Sequence, residues 1–176
     1  MTDFMEIPPG RHRWKKLYLR CMLWFFGRAV QAAARVDDGV KFEFAAMPDN
    51  FTFCLGAFPS GPYMVVGKDA HGRVRHLGAS LADRPIHLHL MFKSPALLFR
   101  VFAFQESTPV ANARNRLYVH GEVPQACAVV RIMDVIQVFL LPKFLAKRAV
   151  KRCPAWPLKR RTLVRARVYV RAFGGW

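Results

Sequence analysis

The spacing of hydrophobic residues between Phe51 and Ile136 changes repeatedly, and the order of these changes limits the folds that the chain can adopt. Apolar residues first recur at every second position, then at helical spacing, then once more at every second position, and finally at helical spacing. Alternation predicts half-buried strands, whereas a period of about 3.6 residues predicts amphipathic helices. The predicted order of elements is therefore β-β-β-β-α-β-α.

Four predicted strands come first. Residues 50–55 alternate, with Phe51, Phe53 and Leu55 on one side. Residues 63–66 and 73–77 favour strands, and the polar segment 69–72 between them indicates a hairpin loop. In the fourth strand we expect Ile86, Leu88 and Leu90 to face the core, with His87 and His89 on the opposite face.

The remaining elements begin at recognisable capping and turn residues. Ser94 is suited to cap a helix whose first residue is Pro95, because proline lacks the N–H that would be unbonded there. Residues 116–121 alternate again and place Leu117 and Val119 inward. A last helix follows Glu122 and ends before Pro142. The apolar residues at helical spacing in the two helices are Leu97, Leu98, Val101, Phe102, Val129, Val130, Met133, Ile136 and Leu140.

Residues 40–141 resemble the sterol carrier protein type 2 family. The matching pieces are Ala82-Asp83 before the alternating strand at Ile86, the helix start at Ser94-Pro95, and the segment 116–122 that leads into an apolar helix. The family usually has aspartate or asparagine where this chain has Glu122. Residues 132–136 also resemble the bacterial branch of accessory lipid-binding proteins in ubiquinone biosynthesis.

This resemblance implies an α+β fold in which a mainly antiparallel five-stranded sheet is covered by helices around an apolar tunnel. With the N-terminal helix, the expected order is α-β-β-β-β-α-β-α, followed by a basic C-terminal extension. The tunnel would hold an acyl, sterol or isoprenoid chain, and a packed core without a tunnel is the alternative. The residues expected to line it are Phe51, Phe53, Leu55, Ile86, Leu88, Leu90, Leu97, Phe102, Leu117, Val119, Val130 and Met133.

Charge divides the chain into three parts. Residues 37–142, the predicted lipid-binding domain, hold ten Lys or Arg and nine Asp or Glu. Residues 1–36 hold seven basic and two acidic residues, and residues 143–176 hold eleven basic residues and no acidic one. The nearly neutral domain is therefore flanked by a basic N-terminal helix and a basic C-terminal extension. Basic segments of this kind are attracted to anionic membrane surfaces.

Two interpretations are open for each flank. The helical pattern of His12 to Val36 suits a helix that covers the sheet, or an interfacial helix with aromatic anchors and basic side chains. The alternating segment from Thr162 to Phe173 suits an edge strand protected by charge, or a strand that contacts anionic lipid headgroups or another polyanion. The expected membrane contacts are Trp14, Trp24, Phe25, Lys159, Arg160, Arg161, Arg165, Arg167 and Arg171.

The sequence offers little for catalysis or metal binding. It contains no nucleophile elbow, phosphate-binding glycine loop or paired-carboxylate signature, and structural roles are favoured for Asp83 and Asp134. His87 and His89 have a spacing found in some zinc sites, but no third ligand is evident and we expect no metal or other cofactor there. The four separated cysteines and the absence of a secretory leader indicate reduced thiols in the cytoplasm.

The predicted function is non-enzymatic binding of a long-chain lipid, with transfer of that lipid or its presentation to an enzyme complex, at the cytoplasmic membrane surface. No transmembrane span is expected, because the longest apolar run, residues 21–26, is far shorter than about 20 residues. Nucleic-acid binding is the alternative for so basic a chain, although no recognised nucleic-acid motif is present. A small enzyme on the same scaffold is a further alternative.

Overall fold

The computed structural model of the protein describes residues 13–59, 61–81, 84–103, 105–106 and 108–140. These residues form five helices and five strands. In chain order the elements are α1 (Arg13–Val36), α2 (Asp38–Ala45), β1 (Thr52–Ala57), β2 (Tyr63–Lys68), β3 (Val74–Gly78), β4 (Leu88–Phe92), α3 (Pro95–Phe102), α4 (Thr108–Ala113), β5 (Leu117–His120) and α5 (Val123–Leu140). The predicted order is confirmed, and two short helices, α2 and α4, are added to it.

The strands form one sheet in the order β3-β2-β1-β4-β5, with β1 in the centre. Three of the neighbouring pairs are antiparallel, but β1 and β4 run parallel. The sheet is therefore mainly antiparallel, as predicted, but it contains one parallel pair. The parallel pair arises because the chain leaves β3 at one edge, crosses β2 and β1, and enters the sheet again on the other side of β1.

Local signals in the sequence explain several of these elements. Ser94 caps α3, since its Oγ accepts a hydrogen bond from the Leu97 N–H at 3.3 Å and Pro95 follows it as the first helical residue. Asp37 caps α2 in the same way through the Val40 N–H, at 3.0 Å. The β2–β3 hairpin turns at Asp69, whose carboxylate accepts hydrogen bonds from the backbone N–H groups of His71 and Arg73.

The helices cover one face of the sheet, and the main core lies between them. Helix α1 packs on β2 and β3, α3 packs on β1 and β4, and α5 packs on β4 and against α1. The buried side of α1 is a stripe at helical spacing, which we call the buried stripe. Its members are Leu19, Leu23, Phe26, Val30 and Ala33, each at most 1% exposed.

The opposite face of the sheet is covered by the connection between β3 and β4. Leu81 and Ile86 of this connection pack against Cys54, Val65 and Met91 on that face. Ile86 is thus on the wrong side of the sheet for the predicted tunnel. The regular alternation starts only at Leu88, where β4 begins, and the residues before it cross the sheet in an irregular conformation.

Glycine at position 27 lets α1 approach the edge strand β3. A Cβ on Gly27 would collide with the imidazole ring of His76. The same contact is supported by a hydrogen bond from the His76 N–H to Gln31 Oε1, at 2.9 Å. Gly27 lies inside α1 and permits close packing of the helix on the sheet.

Candidate functional site

Most of the residues predicted to hold lipid lie together in the layer between the sheet and the helices, which we call the apolar layer. Eight of them are buried members of one hydrophobic cluster: Phe51, Phe53, Leu55, Leu88, Leu90, Phe102, Leu117 and Met133. Leu97 is half-buried and packs against the same cluster. Strands β1 and β4 supply the floor of the layer, and α3 and α5 supply its cover.

Three of the predicted positions are elsewhere. Ile86 packs on the opposite face of the sheet, as described above. Val119 lies opposite Leu90 on the edge strand β5 and is 37% exposed, because no further strand covers that edge within the described residues. Val130 is half-buried on α5. The inward direction predicted for Ile86 is thus wrong, and Val119 is only partly covered.

The eight cluster members that form the apolar layer are buried, each at most 7% exposed. Cavities of about 690, 370 and 280 Å³ lie instead along the outer side of α1, near β3 and α2, and none of these three is lined by a residue predicted to hold lipid. Aromatic contacts close the layer between α1 and α3. Phe26 meets Phe102 edge to face with ring centroids 5.4 Å apart, and Tyr18 meets Phe99 at the same distance.

Helix α1 carries a second apolar stripe on the side away from the core. Trp14, Leu17, Cys21 and Trp24 recur at intervals of three and four residues, opposite the buried stripe. All four are exposed: Trp14 is 82%, Leu17 52% and Trp24 49% exposed, and Cys21 is also exposed. We call these four residues the exposed stripe. Helix α1 is therefore both the covering helix and a helix with an unpartnered apolar face among the described residues.

Basic side chains accompany the exposed stripe. Arg28 lies over the Trp24 ring, with its guanidinium carbon 5.6 Å from the ring centroid. Lys15 approaches the Phe99 ring at the same distance, and Lys16 and Arg20 are exposed nearby on α1. Of the predicted membrane contacts, Trp14 and Trp24 lie in this stripe and Phe25 is half-buried beside it. Lys159, Arg160, Arg161, Arg165, Arg167 and Arg171 lie outside the described residues.

Asp134 is a polar exception near the apolar layer. Its carboxylate oxygen Oδ1 is buried and has no hydrogen-bond partner among the described residues. Loss of hydration raises the pKa of this carboxyl group to about 6. Asp134 lies on α5 next to Met133, so a proton can be held there more readily than at an exposed carboxylate.

His87, which precedes β4, and His89, which lies in β4, have different partners. His87 Nδ1 accepts a hydrogen bond from the Thr52 N–H at 3.2 Å, whereas the His89 ring faces His120 on β5 with centroids 5.9 Å apart. Burial, and then the neighbouring His120, lower the pKa of His89. In the part of the chain that the structure describes, no three histidine, cysteine or carboxylate side chains come together as metal ligands would.

Cys54 is buried in the sheet, whereas the other two described cysteines, Cys21 and Cys127, are exposed. Burial raises the pKa of the Cys54 thiol to about 12, so the thiolate needed for nucleophilic attack is strongly disfavoured. Asp83 lies outside the described residues. Within the described helices, none has both the length and the apolar character to cross a bilayer.

No protein-family model matches the sequence, and no curated protein matches it. Among solved structures, the chain is similar to one titled UbiJ-SCP2 ubiquinone synthesis protein, with 11% identity and a TM-score of 0.45 over 70% of this chain and 98% of that one. It is also similar to the sterol carrier protein domain 2 of Helicoverpa armigera, with 11% identity and a TM-score of 0.41 over 77% of this chain and 93% of that one.

A third similar structure is a conserved hypothetical protein, possibly a sterol carrier protein, from Thermus thermophilus. It is 16% identical, with a TM-score of 0.37 over 86% of this chain and 96% of that one. The first two titles name SCP2 or sterol carrier protein domain 2, and the third names a possible sterol carrier protein.

Sequence reasoning missed part of the surface that the fold assembles. Arg35, Arg73 and Arg75 come from α1 and from the start of β3, and they line the cavity of about 690 Å³. The only sequence signal was the alternation of Arg73 and Arg75 next to a loop. Their proximity to Arg35 depends on the packing of α1 on β3.

Proposed function

We propose that this protein binds a long-chain lipid at a membrane surface and carries it, or presents it to an enzyme, without a chemical step of its own. The ligand class is an isoprenoid quinone intermediate, a sterol or hopanoid, or a fatty acyl chain. The observation that carries the proposal is the double-faced helix α1, which has one apolar stripe in the core and a second one exposed beside basic side chains.

The exposed stripe suits the boundary between headgroups and acyl chains. Tryptophan prefers this boundary because its ring is large and apolar while its N–H can still meet water. Lysine and arginine next to it can lie along the apolar surface and place their charges among anionic headgroups. Each basic residue near such a surface contributes roughly 1 kcal/mol of attraction.

The apolar layer is the proposed binding region. Each lipid methylene that it buries is worth roughly 0.8 kcal/mol, so a long chain needs few polar contacts. Because the described side chains of the layer are buried against one another, a lipid chain would have to displace some of them. The contact between α1 and α3 is the proposed entrance, because Tyr18 lies there, 38% exposed, between the exposed stripe and Phe99. Separating these two helices would open the layer on the side that faces the membrane.

Lipid extraction tests the proposal directly. Full-length protein is purified, extracted with organic solvent and analysed by mass spectrometry, before and after incubation with vesicles. We expect a stoichiometric long-chain lipid. Met133→Trp should block uptake, because Met133 is 2% exposed in the apolar layer. Val123→Trp is the matched control, because Val123 is on the same helix but 69% exposed, and it should leave uptake unchanged.

Two outcomes contradict the proposal. One is folded wild-type protein that contains no lipid after repeated loading. The other is a folded Met133→Trp variant that takes up as much lipid as the Val123→Trp control, which would place any binding outside the apolar layer. Circular dichroism before loading establishes that both variants are folded.

A further inference from the structure

The largest of the three cavities described above lies at the β3 edge of the sheet. It has a volume of about 690 Å³ and lies between the last turns of α1 and the end of the β2–β3 hairpin. We call it the arginine cavity, because three of its lining residues are arginines. The described residues that line it are Gln31, Ala34, Arg35, Gly72, Arg73, Val74, Arg75 and His76.

The charge in the arginine cavity is of one sign. Arg35, Arg73 and Arg75 are exposed, and none of the eight described residues that line the cavity is acidic. Within the described part of the chain, no carboxylate forms a direct ion pair with any of these three arginines. Asp69 lies near this cavity: backbone hydrogen bonds from Arg73 and His71, and then the charge of Arg75, lower the pKa of its carboxyl group.

The backbone around the arginine cavity is held in place on both sides. Asp69 fixes the hairpin loop through the His71 N–H at 2.9 Å and the Arg73 N–H at 2.8 Å. On the other side, Gln31 of α1 binds the His76 N–H, and Gly27 allows the two elements to approach. The arginines therefore project from a preorganised frame, which lowers the ordering cost of binding an anion.

We propose that the arginine cavity binds a phosphate-bearing anion about the size of a diphosphate, carried by a lipid or by a soluble compound. Guanidinium groups form paired, charge-assisted hydrogen bonds with phosphate oxygens. A volume of about 690 Å³ exceeds the need of a single phosphate and falls within the usual range of ligand sites. The site is separate from the apolar layer and does not depend on lipid binding there.

The arginine cavity adjoins the exposed stripe. A second cavity of about 370 Å³ is lined by Arg20, Trp24 and His76, and His76 lines both cavities. A phosphorylated headgroup could therefore occupy the arginine cavity while α1 rests on the membrane. A soluble phosphate compound could reach it from water, because Arg35, Arg73 and Arg75 are exposed. The two sources share one chemistry and are separated by experiment.

The first experiment measures binding of inorganic pyrophosphate to the full-length protein by calorimetry. The triple variant Arg35→Gln, Arg73→Gln, Arg75→Gln should lose at least about tenfold in affinity, since it removes three charge-assisted contacts. The control triple is Lys93→Gln, Arg100→Gln, Arg114→Gln. It removes the same charge from exposed residues around α3 and β5, at the other end of the sheet, and should change affinity less than about twofold.

The second experiment separates the two sources. Binding to vesicles that contain phosphatidic acid is compared with binding to vesicles that carry the same charge as oleate. Selective loss of phosphatidic acid binding in the arginine triple identifies a lipid phosphate. If the arginine triple loses pyrophosphate binding but still binds phosphatidic acid vesicles like wild type, the ligand is a soluble phosphate compound.

The proposal is overturned if the arginine triple binds both phosphate probes like wild type, if wild-type protein binds neither, or if the control triple loses as much as the arginine triple. Should the arginine triple fail to fold, Arg73→Gln alone is measured against Lys93→Gln, and equal affinities overturn the proposal. Lipid uptake into the apolar layer is scored independently in the same preparations, so failure of one proposal does not count against the other.

Discussion

The two apolar stripes of α1 have similar residue types and opposite environments. Leu19, Leu23 and Phe26 are buried against the sheet and α3, whereas Trp14, Leu17 and Trp24 remain exposed on the other side of the same helix. The difference shows that an apolar stripe on a helix indicates contact with an apolar surface, but not which surface. For the buried stripe the partner is the core of this chain; for the exposed stripe we propose a membrane.

The largest expected effect concerns the buried stripe. Leu23 is fully buried, so Leu23→Ala should lower the free energy of unfolding by about 3 to 4 kcal/mol, through lost burial and the cavity left behind. Trp24→Ala, its neighbour on the exposed stripe, should change stability by less than about 0.5 kcal/mol. Urea denaturation of both variants checks this. Equal losses would mean that the two stripes are not distinct.

The second prediction concerns the basic C-terminal extension, whose role stays a prediction. Replacing Lys159, Arg160, Arg161, Arg165, Arg167 and Arg171 with Gln should lower affinity for anionic vesicles at least about a hundredfold, because even three of the six residues at roughly 1 kcal/mol each would give that loss. The remaining binding should depend less on salt, because fewer exposed charges are screened. Binding to neutral vesicles should hardly change.

Vesicle sedimentation at two salt concentrations measures this effect. If the substituted protein is folded and binds anionic vesicles like wild type, the extension is not the electrostatic anchor. Helix α1 would then be the membrane anchor by itself, and its exposed stripe would explain membrane attachment without the extension.

The third prediction concerns the exposed stripe. Trp14→Ala combined with Trp24→Ala should lower affinity for vesicles about tenfold, because two large rings no longer enter the interface. Phe42→Ala is the control, since Phe42 is an exposed aromatic residue on α2, 74% exposed and outside the stripe. Fluorescence titration with vesicles compares the variants. A Phe42→Ala loss equal to that of the tryptophan pair would argue against a specific membrane face.

The smallest expected effect concerns Asp134 on α5, which packs against α1. Its folded-state pKa is raised from 3.8 to about 6 by desolvation, so the folded state favours the protonated form. Stability from this group is fully present below about pH 4 and is lost as the pH rises through about 6. Asp134→Asn should therefore be more stable than wild type at pH 7, by on the order of 1 kcal/mol after allowance for solvent screening.

The pH dependence of unfolding separates this effect from a general gain in stability. The advantage of Asp134→Asn should vanish at about pH 4, where wild-type Asp134 is largely protonated. Asp69→Asn is the opposite case, because backbone hydrogen bonds from Arg73 and His71 lower the pKa of that exposed carboxyl group. A constant advantage of Asp134→Asn at both pH values would contradict the assigned cause.

The sequence by itself determined the order and type of the main elements. Three local patterns predicted elements that appear in the structure where they were expected. They are the alternation over residues 51–55, the capping signal at Ser94 and Pro95, and the helical spacing after Glu122. Short helix α2 was missed, although Asp37 offered a capping signal. Local signals suffice here because a strand or helix period is set by neighbours in the chain.

Only the tertiary structure decided how these elements meet. The connection from β3 to β4 crosses the sheet, so β4 pairs parallel to β1 and Ile86 lies on the far face. The packing of α1 on β3 brings Arg35 close to Arg73 and Arg75. Alternation defines two faces of a strand but not which face the helices cover. Likewise α1 has two apolar stripes, and packing on β2 and β3 buries only one, because a helix presents a single side to a sheet.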